Sequence, residues 1–188
     1  MLLLTFFMLT ATFRPQEPTQ VDAPSSVSEQ ITPERNVITV YVGKENKVFF
    51  NLDNGEDSTL HIRQEVLKNV GAAYNLSFTP EQLSKFERMS AFGMPIEKMA
   101  AWIDAPNESE RLVLQTGIPV DTTDAATSEL ANWILYARKA NPRAVATIRG
   151  DNTADFKAVK QVLDIFQGAK INQFNLVTNL EKEEVKLD

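Results

Sequence analysis

The 188-residue sequence contains no cysteine and one histidine, His61. Disulfides, thiol nucleophiles and thiolate metal sites are therefore excluded, as is any metal or catalytic site that needs two histidines. The seven glycines form no glycine-rich loop of the kind that cradles phosphate. Nineteen basic residues against 25 acidic ones give a net charge of −6, which argues against a nucleic-acid partner. We expect no enzyme activity, no cofactor and no metal site.

The best remaining candidates for chemistry are two aspartates in "RGDNTAD", Asp151 and Asp155. They resemble part of a calcium-binding loop, but the central glycine and the closing glutamate are missing. We expect them instead to form a turn and to cap the following helix. His61 stands next to an apolar helical face, and we expect it at the surface.

Residues 1–13 ("MLLLTFFMLTATF") contain no charged side chain. Thirteen helical residues rise about 20 Å, whereas a bilayer core is about 30 Å thick. A signal peptide would need a preceding positive region and a good small-residue cleavage site, and the sequence provides neither. A buried helix at the surface of a domain would show an apolar stripe and a polar face, whereas this segment is apolar all round. We expect residues 1–13 to be the C-terminal part of a single transmembrane helix that contacts the lipid bilayer.

Residues 14–36 have the composition of a linker. Four prolines (Pro15, Pro18, Pro24, Pro33) stand among serine, glutamine, glutamate and threonine. Proline interrupts helices and central strands, and this composition cannot bury a core. We expect an extended spacer that is stiffer than a glycine–serine tether.

Residues 37–188 are predicted to form one α+β domain of order β-β-α-(helical insertion)-β-α-β. "VITVYV" and "KVFFNL" read as a hairpin joined at 43–46, and 144–149 and 174–178 read as two further strands. The last two strands flank a helix, which predicts a right-handed parallel crossover with helices on one face of the sheet.

Apolar residues at helical spacing predict the buried faces of the helices. A cap at Thr79 followed by Pro80 predicts where the second helix begins, and Gly168 is expected to end the last one. The predicted buried positions are Ile62, Val66 and Val70; Leu83, Phe86 and Met89; Ile96, Met99, Ala100 and Ile103; Leu130, Trp133, Ile134 and Ala137; and Phe156, Val159, Leu163 and Phe166.

The stretch from Ile148 to Glu181 resembles the C-terminal strand–helix–strand signature of the ExbD/TolR family of biopolymer transport proteins. "VDAPSS" at 21–26 resembles the V-[DN]-L-P motif of that family, with Ala23 where leucine is usual, and residues 1–13 resemble the second half of its transmembrane helix. The signature positions are Arg149, Asp151, Phe156, Val159, Leu163, Asp164, Gly168, Leu176, Val177 and Thr178.

The sequence departs from the family pattern in two places. Residues from about 76 to 127 look like a helical insertion of the sort seen in Bacteroidetes-like members, and the transmembrane aspartate of the family is not in this sequence. We expect the chain to lack its N-terminal end, with the proton-carrying aspartate about three residues before Met1. Thr5 would then lie on the same helical face and face the pore, or it would bond its own backbone one turn earlier.

The resemblance implies an ExbD-type subunit of a proton-driven motor in the bacterial inner membrane, with its C-terminal domain in the periplasm. Its implied partners are an ExbB-like membrane subunit, a TonB-like protein and a second copy of the chain. Two alternatives stay open: a TolR-like subunit for envelope integrity, and a tethered periplasmic binding module without motor activity.

Two groups of residues are candidates for partner binding. Val21, Asp22 and Pro24 in the family motif are expected to dock against the periplasmic domain or the partner ring and so to lock the idle state, unless they are only spacer. Leu176 in the last strand is expected to contact a partner, unless it belongs to the core. If that strand lies at a sheet edge, it can pair with its copy or accept a TonB-like strand.

Overall fold

The computed structural model describes residues 35–55, 57–120, 128–151, 154–168 and 174–178. Within these residues, no helix is both long enough and apolar enough to cross a membrane. The expected transmembrane segment 1–13 lies outside them, as does the expected linker except for Arg35 and Asn36.

A hairpin opens the domain, as predicted. Strand β1 (Val37–Val42) pairs antiparallel with strand β2 (Val48–Leu52), and a single 3-10 turn at Lys44–Asn46 joins them. Glu45 and Asn46 take positive φ angles of 56° and 59°, which few residues other than glycine adopt. The strained turn places the Asn46 side chain where it reaches the start of the last helix.

The other two strands complete a mixed four-stranded sheet. Strand β3 (Val145–Gly150) runs parallel to β1, and strand β4 (Phe174–Thr178) runs parallel to β3. The order across the sheet is β2-β1-β3-β4, so β2 and β4 are its two edges. The parallel strand–helix–strand arrangement at the end of the chain is confirmed.

Six α-helices accompany the sheet in the described residues. Thr79 begins the second with a full capping box, in which its hydroxyl accepts from the Gln82 amide and the Gln82 side chain accepts from the Thr79 amide. The helices are α1 (Ile62–Ala73), α2 (Pro80–Glu87), α3 (Met99–Asp104), α4 (Glu108–Leu114), α5 (Glu129–Ala140) and α6 (Phe156–Gly168). Helices α2 to α4 fall within the predicted insertion.

The main core lies on one face of the sheet. Ile38, Val40 and Val42 alternate along β1 toward that face and join one buried cluster with side chains of the helices. Around Trp133 of α5, the rings of Phe92 and Phe50 approach with centroid distances of 4.7 Å and 5.9 Å. Tyr41, Phe49 and Ala91 form a second, smaller buried cluster.

The predicted apolar face of α6 is partly wrong. Phe156 is 62% exposed, whereas Leu163 is half-buried and packs against the main core. The buried stripe is made by Ala158, Val159, Val162, Ile165 and Phe166. At about 100° per residue, Phe156 lies roughly 120° from the middle of that stripe and so points away from the sheet.

Two predicted helix ends also needed correction by a residue or two. Met89 was predicted to extend the buried face of α2, but the helix ends at Glu87 and Met89 packs against the core from the connection that follows. Gly168 was predicted to follow α6 and is its last residue. Shifts of this size are usual because helix ends fray and the last turn tightens.

Candidate partner-binding edge

The outer edge of β2 is closed by the insertion. The Phe92 amide donates to the Phe50 carbonyl at 3.0 Å, and the Phe50 amide donates to the Phe92 carbonyl at 2.7 Å. The Ile118 amide donates to the Val48 carbonyl at 2.8 Å. Backbone groups that an edge strand would otherwise offer to another chain are thus satisfied from within.

Two segments cover the outer edge of β2, one at Phe92–Gly93 and one at Gly117–Ile118. A glycine in each covering segment lets it approach β2 this closely. A Cβ atom on Gly93 would lie 2.3 Å from Cδ1 of Phe49 and 2.8 Å from the Val48 carbonyl oxygen. Gly117 has a φ of +94°, and its amide donates to the Gly93 carbonyl at 2.8 Å. The two covering segments are therefore hydrogen-bonded to each other beside β2.

The outer edge of β4 differs. Among the described residues, no strand pairs with that edge, and β4 takes its ladder partners from β3 alone. Leu176 is in register with Ile148, on the same side of the sheet as the core residues of β3, yet it is 47% exposed. The structure thus places the predicted contact residue Leu176 at a sheet edge, half-covered beside the core.

The carboxyl ends of β1, β3 and β4 meet at one rim, where both candidate aspartates lie. Asp155 caps α6, because its Oδ1 accepts from the Lys157 amide at 3.1 Å, and its own amide donates to Oδ1 of Asn46 at 3.0 Å. Asp151 is buried, and its carbonyl accepts from the Ala154 amide in a turn. The predicted turn and cap are confirmed, and no acidic or histidine cluster in the described part of the chain is arranged to hold a metal.

A buried guanidinium group links β2 to Ser90, which lies just before the covering segment at Phe92–Gly93. Arg63 of α1 is 4% exposed and donates to the carbonyl oxygens of Leu52 on β2 and of Ser90, the latter at 3.2 Å. It also donates to Oδ1 of Asn51 at 3.1 Å and lies 4.9 Å from the centre of the Phe86 ring. Burial lowers the pKa of Arg63 to about 10, so the group stays charged at neutral pH.

A polar cluster at the surface joins α1 to the end of α2. Nδ1 of His61 lies 2.8 Å from Oε1 of Glu87, and Gln64 donates to the other carboxylate oxygen. Burial favours a higher pKa for Glu87, but the bonds from Gln64 and His61 lower it below its ordinary value. His61 is exposed, as predicted.

Glu129, the first residue of α5, is also a buried ionisable group. Its Oε1 accepts from the Ile96 amide at 2.9 Å and lies 3.4 Å from Nε1 of Trp133. Burial raises the pKa of Glu129 to about 7, opposed by these two donors and reinforced by the nearby Glu97.

Sequence reasoning proposed Leu176 as a contact residue and missed the buried charged residues Arg63 and Glu129. The helical pattern places both charged residues in α1 and α5, but their partners are far along the chain, so no local pattern indicates their burial. The other predicted site residues, Thr5, Val21, Asp22 and Pro24, lie outside the described residues. Their roles stay predictions, as does the contact role of Leu176.

A family model described as "Biopolymer transport protein ExbD/TolR" matches residues 1–181 of the chain. Neither the curated proteins nor the solved structures contain a match.

Proposed function

The chain belongs to the ExbD/TolR family of biopolymer transport proteins, and we propose that it is the ExbD-type subunit of a proton-driven motor that energises TonB-dependent transport across the outer membrane. Family membership makes the chain a subunit of an energising complex for biopolymer transport, which works with partner proteins at the inner membrane. The ExbD type, the TonB link and the proton-motive force belong to the proposal.

The chain divides, in this proposal, into three working parts. Residues 1–13 form the C-terminal part of a transmembrane helix, residues 14–36 a periplasmic linker, and residues 37–188 a periplasmic domain with its insertion at about 76–127. Proline at four linker positions and the absence of charge from residues 1–13 support this division. An ExbB-like subunit would surround the helix, with a second copy of the chain beside it.

One observation carries the partner-binding part of the proposal: the sheet has one closed edge and one edge without a described partner. An exposed edge strand offers a row of unpaired amide and carbonyl groups to an added strand. Because no strand among the described residues pairs with the outer edge of β4, this edge can offer such groups beside the half-exposed Leu176. We propose that β4 pairs there with a TonB-like strand or with its own copy.

Crosslinking tests this contact. Because the sequence contains no cysteine, an introduced cysteine is the single site at which a thiol reagent can react. Leu176→Cys introduces the sole thiol of the chain, to be crosslinked in intact cells. Leu112→Cys on α4 is the matched control, because Leu112 is similarly exposed at 52% but lies far from β4 in the chain. We expect a crosslink to a TonB-like protein or to a second copy from position 176 and none from position 112. Equal yields from the two positions would refute the contact.

The family motif in the linker is proposed to dock in the idle state through Val21, Asp22 and Pro24. Deleting residues 21–24 should then raise proton leakage through the assembled complex. A deletion of 16–19, elsewhere in the linker, controls for length. If both deletions leave leakage and uptake unchanged, the motif is spacer.

Thr5 is proposed to face the proton path, where it would share a helical face with the membrane aspartate that the family pattern implies. A carboxyl group inside a membrane helix is costly and by default functional. The genomic sequence upstream of the Met1 codon tests this directly. An upstream extension that holds no aspartate or glutamate would leave a tethered module in place of a motor.

Gene deletion separates the two motor types. Loss of TonB-dependent uptake with an intact envelope is expected for the ExbD type. Leakage of periplasmic proteins with normal uptake would instead assign the chain to the TolR type.

A further inference from the structure

Basic residues gather at the end of the domain where the linker joins it. The amino ends of β1 and β3 lie side by side there, because these two strands are parallel. The Asn36 carbonyl, just before β1, accepts from the Val145 amide at 2.7 Å, and the Asn36 side chain accepts from Nδ2 of Asn141 at 2.9 Å. These bonds hold the end of the linker against the end of α5. The four residues that form this basic corner are Arg35, Arg138, Lys139 and Arg143.

The basic corner presents most of its charge to solvent. Arg35, Lys139 and Arg143 are exposed, and no ion pair within the described part of the chain includes them. Arg138 is half-buried and donates to the Ala144 carbonyl at 2.5 Å, which fixes the connection between α5 and β3. Three cations are thus held at the surface by a well-bonded connection.

An apolar side chain stands beside these charges. Leu135 is 41% exposed and lies one turn before Lys139 on the same side of α5. The Lys139 ammonium lies 5.1 Å from the centre of the Tyr136 ring. Exposed cations next to an exposed apolar side chain are typical of surfaces that lie on anionic membranes.

The two ends of the sheet differ in charge. Near the basic corner, Oδ2 of Asp53 accepts from the Asn36 amide at 2.8 Å, and Oδ1 of Asp57 accepts from the Thr59 amide at 2.9 Å, so both carboxylates bond within the chain. Toward the other end, the hairpin turn and α6 carry exposed charges of both signs. These are Lys44, Lys157 and Lys160 against Glu45, Asp155 and Asp164.

We propose that the basic corner docks on the membrane surface, where anionic lipid headgroups pair with Arg35, Lys139 and Arg143 and Leu135 enters the interface. The inference rests on the membrane anchor and the linker of the proposed function, and it adds a second contact with the bilayer, made by the domain itself.

The tether makes a weak contact sufficient. The linker of residues 14–36 ends at the basic corner, and a tether of this size keeps the domain near the surface at a local concentration on the order of millimolar. Each basic residue at an anionic surface favours contact by about fivefold, so three favour the docked domain roughly a hundredfold. Full extension of the linker, about 70 Å for a proline-rich chain, requires the corner to leave the surface. Docking would therefore define a retracted position of the domain.

Fluorescence quenching on the full chain in vesicles tests the docking. A fluorophore on Leu135→Cys reports on the corner, and one on Val113→Cys, at an 80% exposed position of α4, is the reference. The quencher is a lipid with a nitroxide on its headgroup, in phosphatidylcholine vesicles with or without about 30% phosphatidylglycerol. Quenching at position 135 in the anionic vesicles should exceed that at position 113 at least about fivefold. It should fall by a similar factor in neutral vesicles or in about 1 M salt, where charges are screened beyond about 3 Å.

Two triple variants separate the corner from net charge. Replacing Arg35, Lys139 and Arg143 by glutamine should lower the ratio of docked to free domain roughly a hundredfold. Replacing Lys44, Lys157 and Lys160 by glutamine removes the same charge from exposed positions elsewhere and should leave the quenching at position 135 unchanged.

Equal quenching in neutral and anionic vesicles, or equal loss in the two triple variants, would overturn the docking. Flotation of the full chain with neutral vesicles in high salt reports the anchor separately, because the anchor needs no charge. A chain that floats without quenching at position 135 keeps the anchor and lacks the docking contact. If the chain does not float, the anchor is wrong, and quenching by an excess of anionic vesicles still decides the docking.

Discussion

The two edges of the sheet are treated in opposite ways. At β2, the insertion bonds Phe92 to Phe50 and Ile118 to Val48 and buries aromatic rings behind them. At β4, the described residues provide no pairing strand, and Leu176 is left half-exposed. Closing one edge removes a site for unwanted strand pairing. In the proposed function, the partner strand adds at the other edge, along β4.

Removing the ring of Phe92 should have the largest effect, because it breaks the closed edge. Phe92 is fully buried among Trp133, Phe86 and Phe50. Phe92→Ala should lower the free energy of unfolding by about 3–5 kcal/mol. Chemical denaturation of the full chain in detergent measures this, with Phe156→Ala as the control. The exposed Phe156 should change stability by less than about 0.5 kcal/mol, and similar losses for the two variants would contradict the burial described here.

Arg63→Met removes the cation that ties β2 to the covering segment. The methionine fills much of the same space but leaves the carbonyls of Leu52 and Ser90 without their donor. We expect a loss of about 3 kcal/mol, since each buried acceptor left unpaired costs about 1–3 kcal/mol. Arg88→Met is the control, because the exposed Arg88 bonds only the carbonyl of Ser84 one turn back. An equal loss in the control would show that Arg63 contributes no more than a surface residue.

Gly93→Ala should weaken the closed edge without removing any side chain. The new Cβ would overlap the Phe49 ring and the Val48 carbonyl, which must move apart. Overpacking of this kind costs about 1–3 kcal/mol. Gly168→Ala, at the exposed end of α6, should leave stability nearly unchanged. Full stability in Gly93→Ala would mean that the covering segment shifts freely.

Leu176→Ala should have the smallest effect on stability, because part of that side chain is already in water. We expect a loss below about 1 kcal/mol, against a clear loss of partner crosslinking from a neighbouring position in the assembled complex. Denaturation and crosslinking of the same variant separate the two roles of Leu176. A loss as large as that of Phe92→Ala would assign Leu176 to the core.

Local patterns in the sequence predicted most of the elements. The hairpin, the Thr79 cap and the apolar stripe of α5 depend on residues within a few positions of each other, and all three are confirmed. The contacts that distinguish the two edges join residues far apart in the chain, such as Phe92 with Phe50. The helical or strand periodicity of the sequence therefore does not predict these contacts. Phe156 was wrongly assigned to the buried face because its three-residue spacing from Val159 fits a helical face. The buried stripe is centred elsewhere on the helix and does not include Phe156.

Amide exchange along the two edge strands tests the central claim most directly. The full chain is compared alone and in the complex purified with its membrane and TonB-like partners, following amides 48–52 of β2 and 174–178 of β4. If β4 is the receiving edge, its amides should gain protection in the complex while those of β2 stay as protected as before. Unchanged protection at β4, or a gain confined to β2, would contradict the account.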